Sequence, residues 1–153
     1  EVTINDAGIN GKMSEVNAAF GLLQLKHIQT ALAARRAVDE FYREHLNNVP
    51  GIRILTSTAE IVRNYSYFPV LVTEEYPLSR DELYEKLKQN NVFARRYFYP
   101  LISHFPMYSA LSSANAKNLS VADYTAQRVL CLPIYSTIDI NELHLIVDEL
   151  RIK

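Results

Sequence analysis

A long run of helical periodicity near the start of the chain constrains its fold more than any other feature. Apolar residues recur at spacings of three and four from Met13, and the same register continues to Leu46, after which Pro50-Gly51 ends it. Ser14 is a favourable N-cap residue, and Glu15 lies where the positive end of the helix dipole stabilises a carboxylate. The pattern predicts a helix of about 35 residues, far above the average of about 11 to 12. Such a length indicates a bend, or a spine that joins two parts of a larger protein.

The first half of this predicted helix carries an unusually wide apolar surface. A surface this wide predicts burial on more than one side. A small sheet would not cover it, so we expect the isolated chain to expose the apolar residues between positions 16 and 28 and to self-associate. The two neighbouring stripes are Met13, Val16, Phe20 and Leu23, and Ala19, Leu22, Leu25 and Ile28.

Three later segments have the composition of β-strands. Residues 52–55 and 67–73 are rich in β-branched and aromatic side chains. Pro69 predicts that the second of them is an edge or bulged strand, because proline cannot donate a ladder hydrogen bond. Residues 92–99 are short, aromatic and followed by Pro100, which predicts a third strand that leads into a long irregular segment.

Three further helices are predicted from capping boxes. The box at residues 79–82 begins a helix that runs to about Asn90, the box at 120–123 begins one that ends before Pro133, and the box at 139–142 begins the last. The residues assigned to the inward face of the last helix are Ile140, Leu143, Ile146, Val147 and Leu150. Together these elements predict an α+β fold, with a long N-terminal helix and a small, mainly antiparallel sheet that has helices on one face.

The length and the charge of the chain exclude several classes of function. Its 153 residues, 48% hydrophobic and 22% charged, are typical of one soluble globular domain. The formal net charge is -1, from 16 Lys+Arg and 17 Asp+Glu, so neither nucleic acid nor an anionic membrane is an expected partner. Cys131 is the single cysteine and cannot form an internal disulfide, which favours a reducing cytoplasm. Because the chain starts at Glu1 without a methionine, we expect it to be a piece of a longer protein.

No complete active site is predicted from these residue patterns alone. The four histidines have no metal-ligand spacing and lie near no cysteine, so no metal site is expected. Cys131 lies between two leucines at the apolar end of the helix predicted from residue 120, where a cysteine is usually inert packing. Glycine-rich nucleotide loops and the Gly-x-Ser-x-Gly hydrolase motif are absent. The histidines are His27, His45, His104 and His144.

Two segments combine groups that are suited to ligand binding. Residues 8–15 bring flexible backbone, an amide and a cation to a helix N-terminus, which are the ingredients of a phosphate or carboxylate site; the alternative is a capped loop that enters a helix. Residues 95–100 place two guanidinium groups against three rings. In a strand, Arg95, Tyr97 and Tyr99 share one face and offer a cation and two phenols to a polar ligand. The alternative is a strand with one buried and one solvated face.

The first of these segments carries a family resemblance. Residues 8–15, Gly-Ile-Asn-Gly-Lys-Met-Ser-Glu, continued by residues 17–25, Asn-Ala-Ala-Phe-Gly-Leu-Leu-Gln-Leu, resemble the G-x-N-x-[RK]-M-x-E…A-A-x-G-L-x-Q-L signature of the DegT/DnrJ/EryC1/StrS family of pyridoxal-phosphate-dependent sugar aminotransferases. Residues 99–101, Tyr-Pro-Leu, are similar to the family's Y-x-P-L segment, and residues 130–135 to its S-L-P-[ML] segment. The resemblance extends over essentially the whole chain.

This resemblance implies the C-terminal small domain of a fold-type-I aminotransferase. It implies that residues 1–50 form a loop and a long helix that join to an absent large domain, and that residues 51–153 form the small C-terminal α+β domain. It also implies a homodimer with active sites at the subunit boundary and pyridoxal 5'-phosphate as the cofactor. The implied reaction transfers an amino group, usually from glutamate, to a nucleotide-linked keto sugar.

The resemblance further implies roles for single residues. Asn10 occupies the position of the family's asparagine, which reaches across the dimer to the cofactor phosphate of the partner subunit. Lys12 occupies a basic position near the substrate, where many relatives have an arginine with a bidentate fork. The candidates for the substrate wall are Arg95, Arg96, Tyr97 and Tyr99.

The chain also departs from the family pattern. The family's Schiff-base lysine, the aspartate that pairs with the pyridine nitrogen and the ring-stacking residue lie ahead of the glycine signature, and none of them precedes Glu1. We therefore expect no catalytic residue in this chain, and no stable cofactor binding by the chain alone. Ile102 stands where many relatives have a histidine, and no role is assigned to His104. The alternative hypothesis is a non-catalytic dimerisation or ligand-binding α+β module.

Overall fold

The described part of the chain folds into four α-helices and a three-stranded sheet. The structure is a computed structural model that describes Ile9, residues 11–56 and residues 61–151. The elements in chain order are α1 (Glu15–Leu46), β1 (Ile52–Ile54), β2 (Phe68–Val72), α2 (Arg80–Gln89), α3 (Ser120–Ala126), β3 (Val129–Leu132) and α4 (Ile140–Leu150). Short 3₁₀ turns at Ile102–His104, Ser112–Ala114 and Ala116–Asn118 lie between α2 and α3. Within the described ranges, no helix combines the length and the apolar composition that crossing a bilayer requires.

The long periodic segment forms one helix, α1, and the prediction of its start and end is confirmed. The hydroxyl of Ser14 accepts a hydrogen bond from the backbone nitrogen of Asn17 at 3.3 Å, which caps the first turn. Only the second half of α1 is buried: Val38, Tyr42 and Leu46 lie in the core. The first half leaves its apolar side chains exposed, as the width of its apolar surface predicts for the isolated chain.

The sheet is antiparallel, with β2 in the middle. Val70 pairs with Ile54 on one side and with Leu130 on the other, so these three side chains share a face. This face packs into one core with α1, α2 and α4, which confirms the prediction of a small antiparallel sheet with helices on one face. The helical residues of that core are Val38, Tyr42, Leu46, Leu83, Leu87, Leu143, Ile146, Val147 and Leu150.

Pro69 lies in the central strand, so the prediction of an edge or bulged strand is wrong. The backbone nitrogen of Val72 donates to the Arg128 carbonyl at 2.9 Å, and strand alternation then directs the nitrogen of Pro69 away from β3. On that other side β1 ends at Ile54, which pairs with Val70. The proline nitrogen therefore lies just past the end of β1, and the β1–β2 ladder loses no hydrogen bond.

The third strand is β3, and the prediction of a strand over residues 92–99 is wrong. In that segment Arg95 forms an isolated bridge to Cys131 through two backbone hydrogen bonds of 2.8 and 2.9 Å. Phe98 then takes a φ of +48°, which ends the extended conformation. β3 lies between β2 and Arg95 and is buried along its whole length. A short, continuously apolar run of this kind cannot be distinguished from a buried helix by periodicity, which explains its assignment to the helix from residue 120.

The third helix is shorter than predicted and begins without the predicted capping box. α3 ends at Ala126, so Cys131 lies in β3 and not at a helix end. Its N-cap is Leu119, whose side chain cannot accept a hydrogen bond, and Ser120 is already the first helical residue. The capping boxes predicted for α2 and α4 are both present. The four-residue pattern therefore forms a capping box only where its first residue is the N-cap of the helix.

One residue assigned to the inward face of α4 is exposed. Leu143, Ile146, Val147 and Leu150 are buried as predicted, whereas Ile140 is 54% exposed. Ile140 is the first residue of the helix and lies about one turn before the packed residues, beyond the edge of the core.

Candidate functional site

Asn10, assigned to the cofactor phosphate, and Lys12, assigned to the substrate, precede α1 in the sequence. Lys12 is exposed in the segment that leads to the Ser14 cap. Asn10 lies outside the described residues. The first turn of α1 is also exposed, so its positive dipole end and the ammonium of Lys12 are both open to an anion. Glu15, in the same turn, is the acidic residue that the dipole favours.

Arg95 faces a groove of about 730 Å³. Its backbone is held by the bridge to Cys131, and its side chain is exposed. Arg35 from α1 and Glu142 from α4 also line the groove, which gives it two guanidinium groups and one carboxylate. Other lining residues include Tyr67, Phe93, Pro133, Ile134 and Tyr135. A groove with an apolar floor and two cations suits a ligand that carries both a ring system and negative charge.

Tyr135 and Glu142 form a polar pair at this groove. The Tyr135 hydroxyl donates to the Glu142 Oε2 at 3.2 Å. Partial burial, together with the carboxylate of Glu142, raises the pKa of Tyr135 above its ordinary value. The protonated phenol directs its hydrogen atom at the carboxylate.

Arg96 lies against the first two turns of α2. Its Nη1 donates to the Asp81 Oδ1 at 3.2 Å, and its guanidinium carbon lies 4.5 Å from the centroid of the Tyr84 ring. The side chain remains 37% exposed. Arg96 is thus oriented by a carboxylate and a ring while part of its hydrogen-bonding surface stays accessible.

Tyr99 lies over a buried cation. The guanidinium carbon of Arg80 is 4.7 Å from the centroid of the Tyr99 ring, and Arg80 is only 3% exposed. Tyr99 itself is 46% exposed. One face of the ring therefore packs against a fixed charge, and part of the side chain is free to meet a ligand.

Tyr97 points to a different neighbour. Its ring packs edge-on against Tyr67, with 5.1 Å between the centroids, and tilts against Phe98 at 4.3 Å. Tyr97 is half-buried. Tyr67 also lines the groove beside Arg95, so Tyr97 contacts that groove through its neighbour.

The side chains from residue 95 to residue 99 do not alternate between two faces, so the strand-face prediction is wrong. Arg95 lines the groove, Tyr97 packs behind it on Tyr67, and Arg96 and Tyr99 both lie against α2. The turn at Phe98 replaces the regular alternation that a strand would impose. Two clusters result: one around the groove, and one at the N-terminal end of α2.

The residues that organise both clusters are not among the site residues predicted from the sequence. No local sequence pattern marks Arg35 and Glu142 as site residues, because they come from α1 and α4, which are far apart in sequence and come together only in the fold. Arg80 and Asp81 belong to a capping box, and that pattern indicates only the start of a helix. Arg80 directly follows the N-cap serine, and its burial, which distinguishes it from an ordinary helix-surface arginine, is visible only in the fold.

Two residues of reactive types, Cys131 in the lining of the groove and His104 outside it, are assigned no chemical role. Burial raises the pKa of the Cys131 thiol to about 11, against a partial lowering by Arg95, which agrees with its interpretation as packing. His104 Nε2 lies 2.8 Å from the Asp123 Oδ1 and ties the 3₁₀ turn to α3. Cys131 contacts one residue of the predicted wall, Arg95, whereas the contact of His104 is with Asp123, outside the wall.

The fold of this chain also occurs as part of longer chains of solved structure, among them aminotransferases. The crystal structure of DesV from S. venezuelae superimposes with a TM-score of 0.83 at 24% identity, over 96% of this chain and 38% of that chain. This likeness is one of fold. The chain belongs to the DegT/DnrJ/EryC1/StrS aminotransferase family, whose model matches residues 1–151.

Two curated relatives are more similar to this chain in sequence than DesV is. A dTDP-4-amino-4,6-dideoxy-D-glucose transaminase from Escherichia coli is 52% identical over 142 residues, which is 93% of this chain and 38% of the relative. A protein of the same description from Shigella dysenteriae is 48% identical over 151 residues, which is 99% of this chain and 41% of the relative. The chain therefore spans about 38 to 41% of the length of these relatives.

Proposed function

We propose that this chain is the C-terminal part of a pyridoxal-phosphate-dependent aminotransferase that transfers an amino group from glutamate to a nucleotide-linked keto sugar. The observation that carries the proposal is the 52% identity, over 142 residues, to a dTDP-4-amino-4,6-dideoxy-D-glucose transaminase. The description of that relative favours a dTDP-linked sugar that is aminated at carbon 4. In this proposal, residues 1–50 join the chain to a large cofactor-binding domain, and residues 51–153 form the small domain.

Pyridoxal phosphate supplies the electron sink for amino transfer. Asn10 is the residue of this chain assigned to the cofactor phosphate, and Lys12 is assigned to the substrate. An exposed helix N-terminus beside an exposed ammonium suits a phosphate or another anion. The amide of Asn10 adds a hydrogen-bond donor without adding charge. Covalent attachment of the cofactor is assigned to the part of the relatives that this chain does not span.

Arg95, Arg96, Tyr97 and Tyr99 are proposed as the substrate wall. Arg95 and Arg35 bring two cations to one groove, which suits the diphosphate of a sugar nucleotide. The partly exposed Arg96 and Tyr99 offer further donors at the end of α2. Tyr97 supports the groove through Tyr67.

The proposal includes a homodimer, in which Asn10 and Lys12 reach the site of the neighbouring copy. The exposed apolar half of α1 supports a buried position for this helix in a larger assembly. A cytoplasmic location is proposed because the single cysteine is a buried free thiol.

The rival proposal, a non-catalytic dimerisation or ligand-binding module, uses the same exposed surface of α1. The mass of the parent protein, or its open reading frame, separates the two. The enzyme proposal requires a lysine-bearing domain ahead of residue 1. A parent that ends near the length of this chain without such a domain contradicts the enzyme proposal and favours the module.

Replacing Asn10 by alanine in the full-length protein tests the cofactor assignment. A hydrogen bond to a charged group contributes about 1.5 to 3 kcal/mol, so we expect Asn10→Ala to weaken pyridoxal phosphate retention by about 10- to 150-fold. Equilibrium dialysis followed by the cofactor's absorbance measures it, with circular dichroism as a check on folding. Asn141→Ala, at an exposed position of α4, is the matched control and should retain the cofactor. Equal affinity in wild type and Asn10→Ala rejects the assignment.

A further inference from the structure

We propose that Arg80 and Asp81, in the first turn of α2, are positioning residues that hold Arg96 and Tyr99 in the substrate wall. The inference rests on the proposed function, because it takes this wall as the surface that meets the sugar nucleotide. Neither residue is among the sites that the sequence pattern identified. Both act through their neighbours, and neither is assigned a contact with the substrate.

Arg80 is fixed from below by the junction of α3 and β3. Its Nη1 donates to the Ala126 carbonyl at 3.0 Å and to the Val129 carbonyl at 3.3 Å. Ala126 is the last residue of α3 and Val129 is the first residue of β3, so the guanidinium is held by backbone and not by mobile side chains. With 3% exposure, it is a buried and permanently charged platform.

The Tyr99 ring rests on that platform. The distance of 4.7 Å from the guanidinium carbon to the ring centroid is within cation–π range, and the attraction is stronger where the cation is desolvated. Because the platform cannot move without breaking two backbone contacts, the ring has one preferred orientation. This orientation leaves Tyr99 46% exposed.

Asp81 joins the platform to Arg96. Its Oδ1 lies 2.9 Å from the Arg80 Nε and 3.2 Å from the Arg96 Nη1. The contact with Arg96 has hydrogen-bond geometry, whereas the Arg80 Nε has no hydrogen-bond partner among the described residues, so its contact with Asp81 is coulombic. One carboxylate oxygen thus serves two guanidinium groups.

Arg96 is oriented by this oxygen and by the Tyr84 ring, 4.5 Å away, and remains available for a ligand. A guanidinium has five N–H donors, and the bond to Asp81 engages one nitrogen. Two guanidinium groups share one carboxylate, so the cluster keeps net positive charge at the wall. The arrangement orients Arg96 without neutralising the site.

A purely structural role for this cluster would need only the carbonyl contacts of Arg80. Asp81 is 57% exposed, and its side chain contacts Arg96 of the wall as well as the buried Arg80. Because the carbonyls of Ala126 and Val129 still hold Arg80, the loss of the Asp81 charge should disturb the orientation of Arg96 more than the stability of the fold. This difference makes Asp81 the informative position for a test.

The experiment compares Asp81→Asn and Arg80→Lys with wild type in the full-length protein. We expect Asp81→Asn to raise the KM for the nucleotide-linked keto sugar about two- to fivefold, the range of a partly exposed charge pair, while kcat, the KM for glutamate and the melting temperature stay close to wild type. Arg80→Lys keeps the charge but loses the fork, so it should raise the same KM about tenfold. Glu85→Gln, at an exposed position of the same helix, is the matched control and should behave as wild type.

The outcomes separate this inference from the proposed function. An active wild type with an unchanged KM in Asp81→Asn overturns the positioning role and leaves the proposed function intact. A parallel loss of kcat, cofactor absorbance and melting temperature in Asp81→Asn also overturns it, because that pattern belongs to a structural role. A wild type with no transaminase activity toward any nucleotide-linked keto sugar rejects the proposed function itself. If Arg80→Lys does not fold, Asp81→Asn alone decides.

Discussion

At the scale of single residues, burial determines the reactivity of Cys131. Desolvation raises the pKa of its thiol to about 11, and the thiolate is the nucleophilic form. The neutral thiol is thus favoured in the fold, and its contribution to stability is present below the pKa of the unfolded chain and lost as the pH rises through about 11.

We therefore expect iodoacetamide to alkylate Cys131 in the folded protein at pH 8 at least about tenfold more slowly than in the unfolded chain. Mass spectrometry of timed samples, with and without guanidinium chloride, measures the two rates. Equal rates would show that the thiol is accessible and ionised in the fold, against its place in β3.

Buried charge is the second residue-scale feature, and the sequence pattern does not indicate it. Asp39 lies on α1 with 2% exposure. Its carboxylate is 2.7 Å from the Arg43 Nε and 2.8 Å from the Arg63 Nη1. The contact with Arg43 follows the helical spacing of four, whereas the contact with Arg63 depends on how the segment after β1 returns to the helix. A charged residue on a periodic helix is normally assigned to solvent, so its burial is a property of the fold.

At the scale of elements, the contribution of a capping box to stability can be measured by comparing α2 with α3. The predicted box is present in α2 and absent in α3. The Ser79 hydroxyl accepts from the Glu82 nitrogen at 3.3 Å, and the Glu82 carboxylate accepts from the Ser79 nitrogen at 2.8 Å. Ser120 is the first residue of α3 and makes no such contact. We expect Ser79→Ala to lower the free energy of unfolding by about 1 kcal/mol, and Ser120→Ala to change it little. Urea unfolding followed by circular dichroism measures both; equal effects would contradict the assignment of the cap.

The same cap gives α2 a dependence on acid. Hydrogen bonds from the backbone and the hydroxyl of Ser79 hold the pKa of Glu82 below its ordinary 4.5. A lowered folded-state pKa means that the stabilisation is present above about 4.5 and is lost as the pH falls through the folded value. We expect Ser79→Ala to reduce this part of the acid sensitivity, because one of the two donors to the carboxylate is removed.

At the scale of the whole molecule, the exposed half of α1 dominates the behaviour expected of the isolated chain. Val16 is 79% exposed, Phe20 62% and Leu23 54%, all on one side of the helix. Contiguous apolar surface of this kind drives association.

We expect the isolated chain to self-associate, and Phe20→Asp combined with Leu23→Lys to make it monomeric. Sedimentation velocity over a range of concentrations measures the state of each. Val121→Asp replaces another exposed apolar side chain, on α3 and outside this surface, and serves as the control. A wild-type chain that stays monomeric at high concentration, or an equal response to the control substitution, contradicts the role of the α1 surface.

Local sequence determined the features that depend on neighbours along the chain. The bounds of α1 follow from its periodicity and from the Ser14 cap, and the caps at Ser79 and Asp139 follow from residues three positions apart. The antiparallel α+β class and the family follow from patterns of the same local kind, confirmed by the sheet and by the match over residues 1–151.

Only the tertiary structure decided the features that join distant parts of the chain. β3 is a strand because it is enclosed between β2 and Arg95, and its apolar residues alone are equally compatible with a helix. The proposed wall is divided between a groove and the end of α2, where Tyr99 packs on Arg80, which is itself held by carbonyls 46 and 49 positions away. Such contacts depend on how elements pack, and packing is a property of the folded chain that no short window of sequence contains.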